Sequence, residues 1–306
     1  MDKVLILLAT YNGEKFIKEQ LNSIFSQTYK YFDLVVSDDN STDETLKILE
    51  EFSVNYKNIT IIQNLGKHGA LHNFKNLVKY AKEQLTKYDY YMFCDQDDVW
   101  IHDKIECSLE EIKKYQKKPV LVYTSKQYVD EYLNPLNWNV KKENLFDKNI
   151  LLQNKTYGCT HILSYELFEK LDYNIDDNFI NYDHYVAIQA FLYGEVHFLD
   201  KKTILYRQHG NNVSGIVNGR LINRLGIRKK YIKVWKLFNF LIDYCYTNSE
   251  SLDERNRSFV YKLYKLKGNH FSFIYECVKN GVTMNTVLGT LQFYIFLFLN
   301  IKNNKD

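Results

Sequence analysis

Three carboxylates in four positions, Asp95-Gln96-Asp97-Asp98, follow Cys94 and the apolar and aromatic run Tyr88-Asp89-Tyr90-Tyr91-Met92-Phe93 before it. Such a run reads as a buried strand, and like charges gathered at its end repel one another. A fold keeps them together only with positive charge beside them, most simply a divalent cation held by oxygen ligands. This demands an architecture in which strands end at a ligand crevice. It points to a hard metal and a phosphate-bearing ligand, the alternative being a solvated acidic turn.

The rest of the first half supplies that architecture. Strands are expected over 4–9, 34–37, 59–63 and 90–94, with helices over 15–27, 44–52 and 70–82 between them. Ser41 or Thr42 is placed to cap the second helix. Alternation of this kind predicts an α/β fold with a parallel, doubly wound sheet. Ligands of such sheets bind beyond the carboxyl ends of the strands. Thr10-Tyr11, Asp38-Asp39 and Asp95–Asp98 all lie just past strand ends and should converge on one crevice.

Further strands are expected over 120–125, 196–199 and 203–206, with 130–157 irregular. An edge strand over 158–163 leads into a helix over 165–171, and another helix covers 183–192. From about residue 221 the pattern turns helical, with Tyr231, Val234, Trp235, Phe238, Leu241, Ile242 and Cys245 at i, i+3, i+4 spacing. A second helix is expected over 259–277. The apolar segment 282–301 is long enough to span a bilayer, but it contains Asn285, Gln292 and Asn300 and reads as an interfacial or core helix.

Charge divides the chain at the same place. Residues 216–306 hold 15 Lys/Arg against 6 Asp/Glu, +9, so residues 1–215 carry about −6 of the whole-chain +3. A basic tail suits an anionic membrane surface or nucleic acid. Its lysines are scattered among apolar faces without a recognised binding motif, which speaks against nucleic acid. The five cysteines are widely spaced and include no C-x-x-C, so they read as free buried thiols in a reducing compartment. The start Met1-Asp2-Lys3 and its short apolar run do not make a signal peptide, and a cytoplasmic location is expected.

Six segments, in order, resemble a known family. They are Ala9-Thr10-Tyr11-Asn12-Gly13, Val35 to Asp43, Asn64-Leu65-Gly66 with Asn73-Phe74, Asp95 to Trp100, Tyr182-Asp183-His184, and Tyr206-Arg207-Gln208-His209-Gly210. Together they resemble the family 2 glycosyltransferases of GT-A fold, in the branch labelled rhamnosyltransferase-like. The resemblance covers roughly residues 3–215 and implies a catalytic domain over 1–217. The helical, basic region 218–306 is left for membrane-surface docking or oligomerisation.

The resemblance implies an inverting, metal-dependent transfer of a sugar from a UDP- or dTDP-linked donor to a hydroxyl. The implied acceptor is a saccharide or polyprenyl-linked saccharide of surface polysaccharide synthesis, met at the inner face of the membrane. By position, Thr10 and Tyr11 line the nucleotide pocket, and Asp39 reads the base. Asp38 orients the loop or reaches the ribose, and Asn64 and Gly66 approach the donor. Asp95 and Asp97 hold the sugar and a Mn²⁺- or Mg²⁺-bound diphosphate, with Asp97 the first metal ligand. His209 is a further ligand, and Arg207 binds diphosphate. Asp183 is the catalytic base. His161 stands where an apolar residue is expected, which bears on the acceptor side. Simpler roles compete: helix capping for Asp39, Asp98 and Asp183, and an ordinary surface histidine for His209. A nucleotidyltransferase, a metal-dependent phosphohydrolase on sugar nucleotides and a non-catalytic nucleotide-sugar scaffold are the rival functions.

Overall fold

The computed structural model describes residues 1–115, 118–136, 148–172, 180–210, 224–284 and 286–300. Its centre is one mixed sheet. Strands β1 (Val4–Thr10), β2 (Phe32–Asp38), β3 (Ile59–Gln63) and β4 (Tyr90–Asp95) run parallel in the order β3-β2-β1-β4. Beyond β4 the sheet continues through β7 (His161–Ser164), β6 (Val120–Val129), β8 (Glu195–Arg207) and the short β5 (Val99–Trp100). The register pairs Thr10 with Asp38 and Ala9 with Asp95, so three strand ends finish at one level.

Apolar periodicity explains the flanking helices. α1 (Ile17–Phe25) buries Ile17, Leu21 and Ile24, and with α2 (Thr45–Asn55) and α4 (Lys104–Ile112) it covers one face of the sheet. α3 (Ala70–Glu83), the single turn α5 (Tyr165–Phe168) and α6 (Tyr182–Tyr193) cover the other. The C-terminal helices α7 (Arg224–Thr247), α8 (Glu254–Leu266), α9 (His270–Lys279) and α10 (Val287–Asn300) join this second face. Phe238, Leu241 and Phe259 lie in the same apolar cluster as Leu5, Phe93 and Tyr185. Gln189 Nε2 of α6 donates to Tyr244 Oη of α7 at 2.9 Å, and Thr283 N donates to Asn149 Oδ1 of the turn Lys148–Leu151 at 2.7 Å, tying the C-terminal helices to the rest of the chain. All five cysteines are buried and unpaired.

Several expectations are corrected. The strand at 158–163 is not an edge: β7 is interior, antiparallel to both β4 and β6. Four apolar residues reveal burial but not neighbours. The strands at 196–199 and 203–206 are one strand, in which Asp200 and Lys201 bulge out between the pairs Thr124–Leu199 and Ser125–Lys202. β6 runs on to Val129. Ser41 does not cap α2; its N–H and hydroxyl both donate to Asp38. The helix over 259–277 is two helices, because Gly268 and Asn269 break it and Asn269 accepts the Ser272 N–H as the cap of α9. The division at 217/218 lies outside the described residues. At 1.5 Å per residue α10 is about 21 Å long, short of the roughly 30 Å hydrocarbon layer. Among the described residues, no helix is long and apolar enough to cross a membrane.

Candidate active site

The strand-end segments converge as expected, and hydrogen bonds show what binds them together. Gln96, between the first two acids, is the hub. Its Oε1 accepts from Thr10 Oγ1 at 2.6 Å and Tyr11 N at 2.9 Å, and its Nε2 donates to Tyr11 O at 3.0 Å. The acidic loop is thereby pinned to the end of β1. The fit requires Gly13, where an added Cβ would stand 2.3 Å from Gln96 Oε1. Asn73 of α3 ties the neighbouring strand ends, donating to Thr10 O at 3.1 Å and Ser37 O at 2.8 Å.

The adjacent acids Asp38 and Asp39 have different work. Asp38 is fully buried and holds Ser41 through both oxygens, which suits the loop-orienting one of its two expected roles. Asp39 accepts from Asn64 Nδ2 at 2.7 Å and from Gly69 N at 2.7 Å, and it lies 3.1 Å from His68 Nδ1. It caps no part of α2; it sits at the entry to α3. Asn64 is buried and serves this loop, also accepting the Gly66 N–H at 3.1 Å. Thr10 is buried as a latch, while Tyr11 is exposed at the mouth and Gly66 lies on the exposed rim.

The three acids of the opening motif also separate. Asp97 Oδ2 meets His209 Nε2 at 2.8 Å, and the His209 ring packs 4.8 Å from Phe16. Asp95 accepts from Tyr182 Oη at 3.1 Å. Burial, then the nearby charge of Asp97, pushes the Asp95 carboxyl up to about 7. Asp98 is buried and accepts the Arg207 N–H at 3.0 Å. It caps no helix, because β5 follows it and α4 begins only at Lys104.

Positive charge does lie beside the cluster. Arg207 is buried, with Nε donating to Asp97 O at 2.7 Å and the rest of its guanidinium on Glu131 O and Glu19. It braces the acidic loop from behind and is not presented to a diphosphate, which corrects the expectation for this residue. Lys104, also buried, stands over the Trp100 ring and within electrostatic reach of Asp98.

Asp183 lies in the first turn of α6. It accepts the His184 N–H at 2.7 Å, and burial holds its carboxyl up at about 6. The residue before it, Tyr182, reaches Asp95, and the Asp183 charge is felt at Asp95. The expected base and the D-x-D acids therefore share one site. His184 turns inward to Ile150 O at 2.6 Å and anchors the helix. His161 is fully buried in β7, so it has no place among acceptor contacts.

The site offers carboxylate oxygens from Asp95 and Asp97 and an imidazole from His209, a donor set suited to Mn²⁺ or Mg²⁺. Mutual repulsion between Asp95 and Asp97 is what a cation there would relieve. Asp95, Asp98 and Cys159 also bring ligand atoms within 4.8 Å of one another. Burial keeps the Cys159 thiol protonated, which disfavours that trio for a hard ion.

Sequence reasoning missed Gln96, Tyr182 and Gly158. Tyr182 is clamped by Phe74 at 3.7 Å and Phe93 at 5.8 Å, and a Cβ on Gly158 would stand 2.2 Å from its hydroxyl. For Gln96 and Tyr182 the only signal in the sequence was adjacency to motif acids, and for Gly158 there was none.

The family model described as glycosyl transferase family 2 matches residues 5–172. A dTDP-rhamnosyl transferase, RfbG of Shigella flexneri, is 33% identical over 264 residues, covering 79% of this chain and 87% of that protein. An uncharacterized glycosyltransferase of Haemophilus influenzae is 26% identical over 98% of this chain and 94% of its own length. Among solved structures, residues 1–349 of S. aureus TarS superpose with TM-score 0.60 at 18% identity, covering 96% of this chain and 80% of that one. The Pyrobaculum calidifontis mannosyltransferase PcManGT, solved with GDP-Man and Mn²⁺, gives TM-score 0.56 at 12% identity over 100% and 88% of the two chains. Sheet order, the converging acids and these matches agree: the chain belongs to glycosyltransferase family 2 and is a glycosyltransferase with the GT-A fold.

Proposed function

We propose that this enzyme transfers a sugar, with inversion, from a nucleoside-diphosphate-sugar to a hydroxyl of a saccharide or lipid-linked saccharide in surface polysaccharide synthesis. The observation that carries the reading is the joining of Asp183, with its raised pKa, to the Asp95/Asp97/His209 cluster through Tyr182. Between UDP and dTDP donors, the 33% identical dTDP-rhamnosyl transferase favours dTDP. UDP stays in view, since TarS has been solved with UDP-GlcNAc.

In this reading Asp97 and His209 would hold a divalent cation, with Asp95 on the donor-sugar side. A bound cation supplies charge neutralisation at the departing diphosphate. Asp39, fixed by Gly69 and Asn64, reads the base, and Tyr11 closes the mouth. Asp183 takes the acceptor proton as the new C–O bond forms on the face opposite the leaving phosphate. The electron pair of the broken bond leaves with the nucleoside diphosphate. A carboxylate with a pKa near 6 is better matched to that task than one near 4. The enzyme works in the cytoplasm, against the inner face of the membrane where lipid-linked acceptors are built.

A donor panel read by released nucleoside diphosphate, with Mn²⁺, with Mg²⁺ and with EDTA, tests this. Release from a dTDP- or UDP-sugar that EDTA abolishes supports it. Pyrophosphate or sugar phosphate as product would transfer the case to a nucleotidyltransferase or phosphohydrolase. Binding without turnover would favour a scaffold.

A further inference from the structure

The C-terminal helices leave an apolar surface that the core does not absorb. α10 buries Phe293, Phe296 and Leu297 against the body of the protein. Its opposite side sets Leu288, Leu291, Ile295 and Leu299 outward, each more than half exposed. On α9 the outward residues are Phe271, Tyr275 and Val278, at i, i+4, i+7. Phe271 and Phe298 pack edge-on at 5.2 Å and make the two stripes one patch. Scattered exposed leucines are ordinary; a continuous patch of this kind marks an interaction surface.

Charge around the patch selects the occupant. Residues 282–301 carry no charged side chain, and no acid occurs between 216 and 242. The first turns of α7 set out Arg228, Lys229, Lys230, Lys233 and Lys236, all exposed. Tyr231, among them, donates to Gln292 Oε1 at 2.9 Å, which places this basic stretch directly against α10. Glu276, the one acid on α9, is buried and faces Lys262 and Asn280 rather than the patch.

We propose that the α9–α10 face docks on an anionic lipid surface, with the start of α7 as its positive rim. A second copy of the chain is the poorer occupant, because a twofold interface repeats the same patch on both sides and brings basic rims together. Apolar residues entering the acyl boundary beside lysines at the headgroups satisfy both features at once. The inference deepens the membrane placement proposed above and rests on it, but its test needs no turnover.

The full chain is sedimented with vesicles of phosphatidylglycerol and phosphatidylcholine, and with vesicles of phosphatidylcholine alone. Binding to the anionic vesicles should be at least tenfold stronger, and it should weaken in 0.5 M salt as surface charges are screened, on the order of tenfold. Leu291→Glu with Ile295→Glu, at positions already exposed, should lower binding tenfold or more with thermal unfolding unchanged. Arg228→Ser, Lys229→Ser and Lys230→Ser together should lower it about a hundredfold, roughly fivefold per charge. Equal binding to both vesicle types, or none to either, overturns the proposal. So does a dimer in sedimentation velocity that the double glutamate variant dissolves. Donor turnover measured in solution reports on the catalytic reading separately: its loss with vesicle binding intact removes that reading alone.

Discussion

Asp183→Asn separates the cost of the site to the fold from its use in the reaction. The Asp183 carboxyl is raised from an ordinary 3.8 to about 6, chiefly by burial. A raised carboxyl pKa means that the native state holds its proton more tightly than the unfolded state. Its stabilising share is complete below pH 3.8 and is lost as pH rises through 6. Relative to the protonated form, the ionised carboxylate costs about 1.6 kcal/mol at pH 5 and about 3 kcal/mol at pH 8. Asparagine carries no charge and escapes this cost. Its Oδ1 keeps the His184 N–H, but it gives up the attraction of a carboxylate in the first turn of α6, worth about 0.3–1 kcal/mol. The variant should therefore be more stable by about 2 kcal/mol at pH 8, roughly 4 °C in melting temperature, and by less at pH 5.

Thermal unfolding in EDTA at the two pH values reads the stability term. Release of nucleoside diphosphate under saturating donor and Mn²⁺ reads the chemistry. Loss of a general base should lower kcat by about 10²–10⁴. Wild-type kcat should fall with slope one toward acid pH as the Asp183 carboxyl takes up its proton, and the residual rate of the variant should lack that limb. A variant that keeps more than a tenth of wild-type turnover would refute the base role. One that melts below wild type at pH 8 would refute the burial argument.

Three further substitutions probe the supports. His209→Ala removes the partner of Asp97 and should raise the Mn²⁺ concentration for half-maximal turnover by about 10–100-fold; an unchanged titration excludes His209 from the cation site. Gly158→Ala forces a Cβ to within 2.2 Å of a Tyr182 side chain clamped by Phe74, so chemical denaturation should show a loss of about 1–3 kcal/mol, together with reduced turnover. Arg207→Met strips the brace from Asp97 O and Glu131 O and leaves Glu19 without its partner. It should cost about 3 kcal/mol in unfolding measurements, and a large rise in donor KM with unchanged stability would restore the diphosphate role.

The parallel half of the sheet was legible because its strands are short apolar runs closed by turn residues, and helices of clear period separate them. The antiparallel half was not. β7 offers four apolar residues that fit an edge or an interior equally, and only contacts distant in sequence, from Met92 and Val122, decide the matter. At the site, residue type marked Asp38, Asp39, Asp95, Asp97 and Asp98 alike. What each acid does depends on which partner it finds inside the protein, as Asp38 finds Ser41, Asp39 finds the Gly69 N–H and Asp98 finds the Arg207 N–H. Arg207 misled for the same reason, since a motif arginine looks identical whether it meets a phosphate or a carbonyl. The break between α8 and α9, by contrast, was written in Gly268-Asn269 and needed only more weight on that pair.

The supports also explain why the motifs lie so far apart in the chain. Asp39 receives the Gly69 N–H at the head of α3. One turn on, Asn73 of the same helix donates to the carbonyls of Thr10 and Ser37, and its neighbour Phe74 stacks on Tyr182. The Tyr182 hydroxyl then holds Asp95, whose partner acid Asp97 rests on His209. Each contact joins segments separated by dozens of residues, and each is short-ranged, so none works unless the sheet register is kept. A one-residue slip between β1 and β2 would move Thr10 off Asp38 and turn alternate side chains to the wrong face. The buried strands therefore do more than present acids at their ends. Their register holds the Asp39 end and the Asp95/Asp97 end of the crevice at a fixed separation, and α3 is the rigid strut between them.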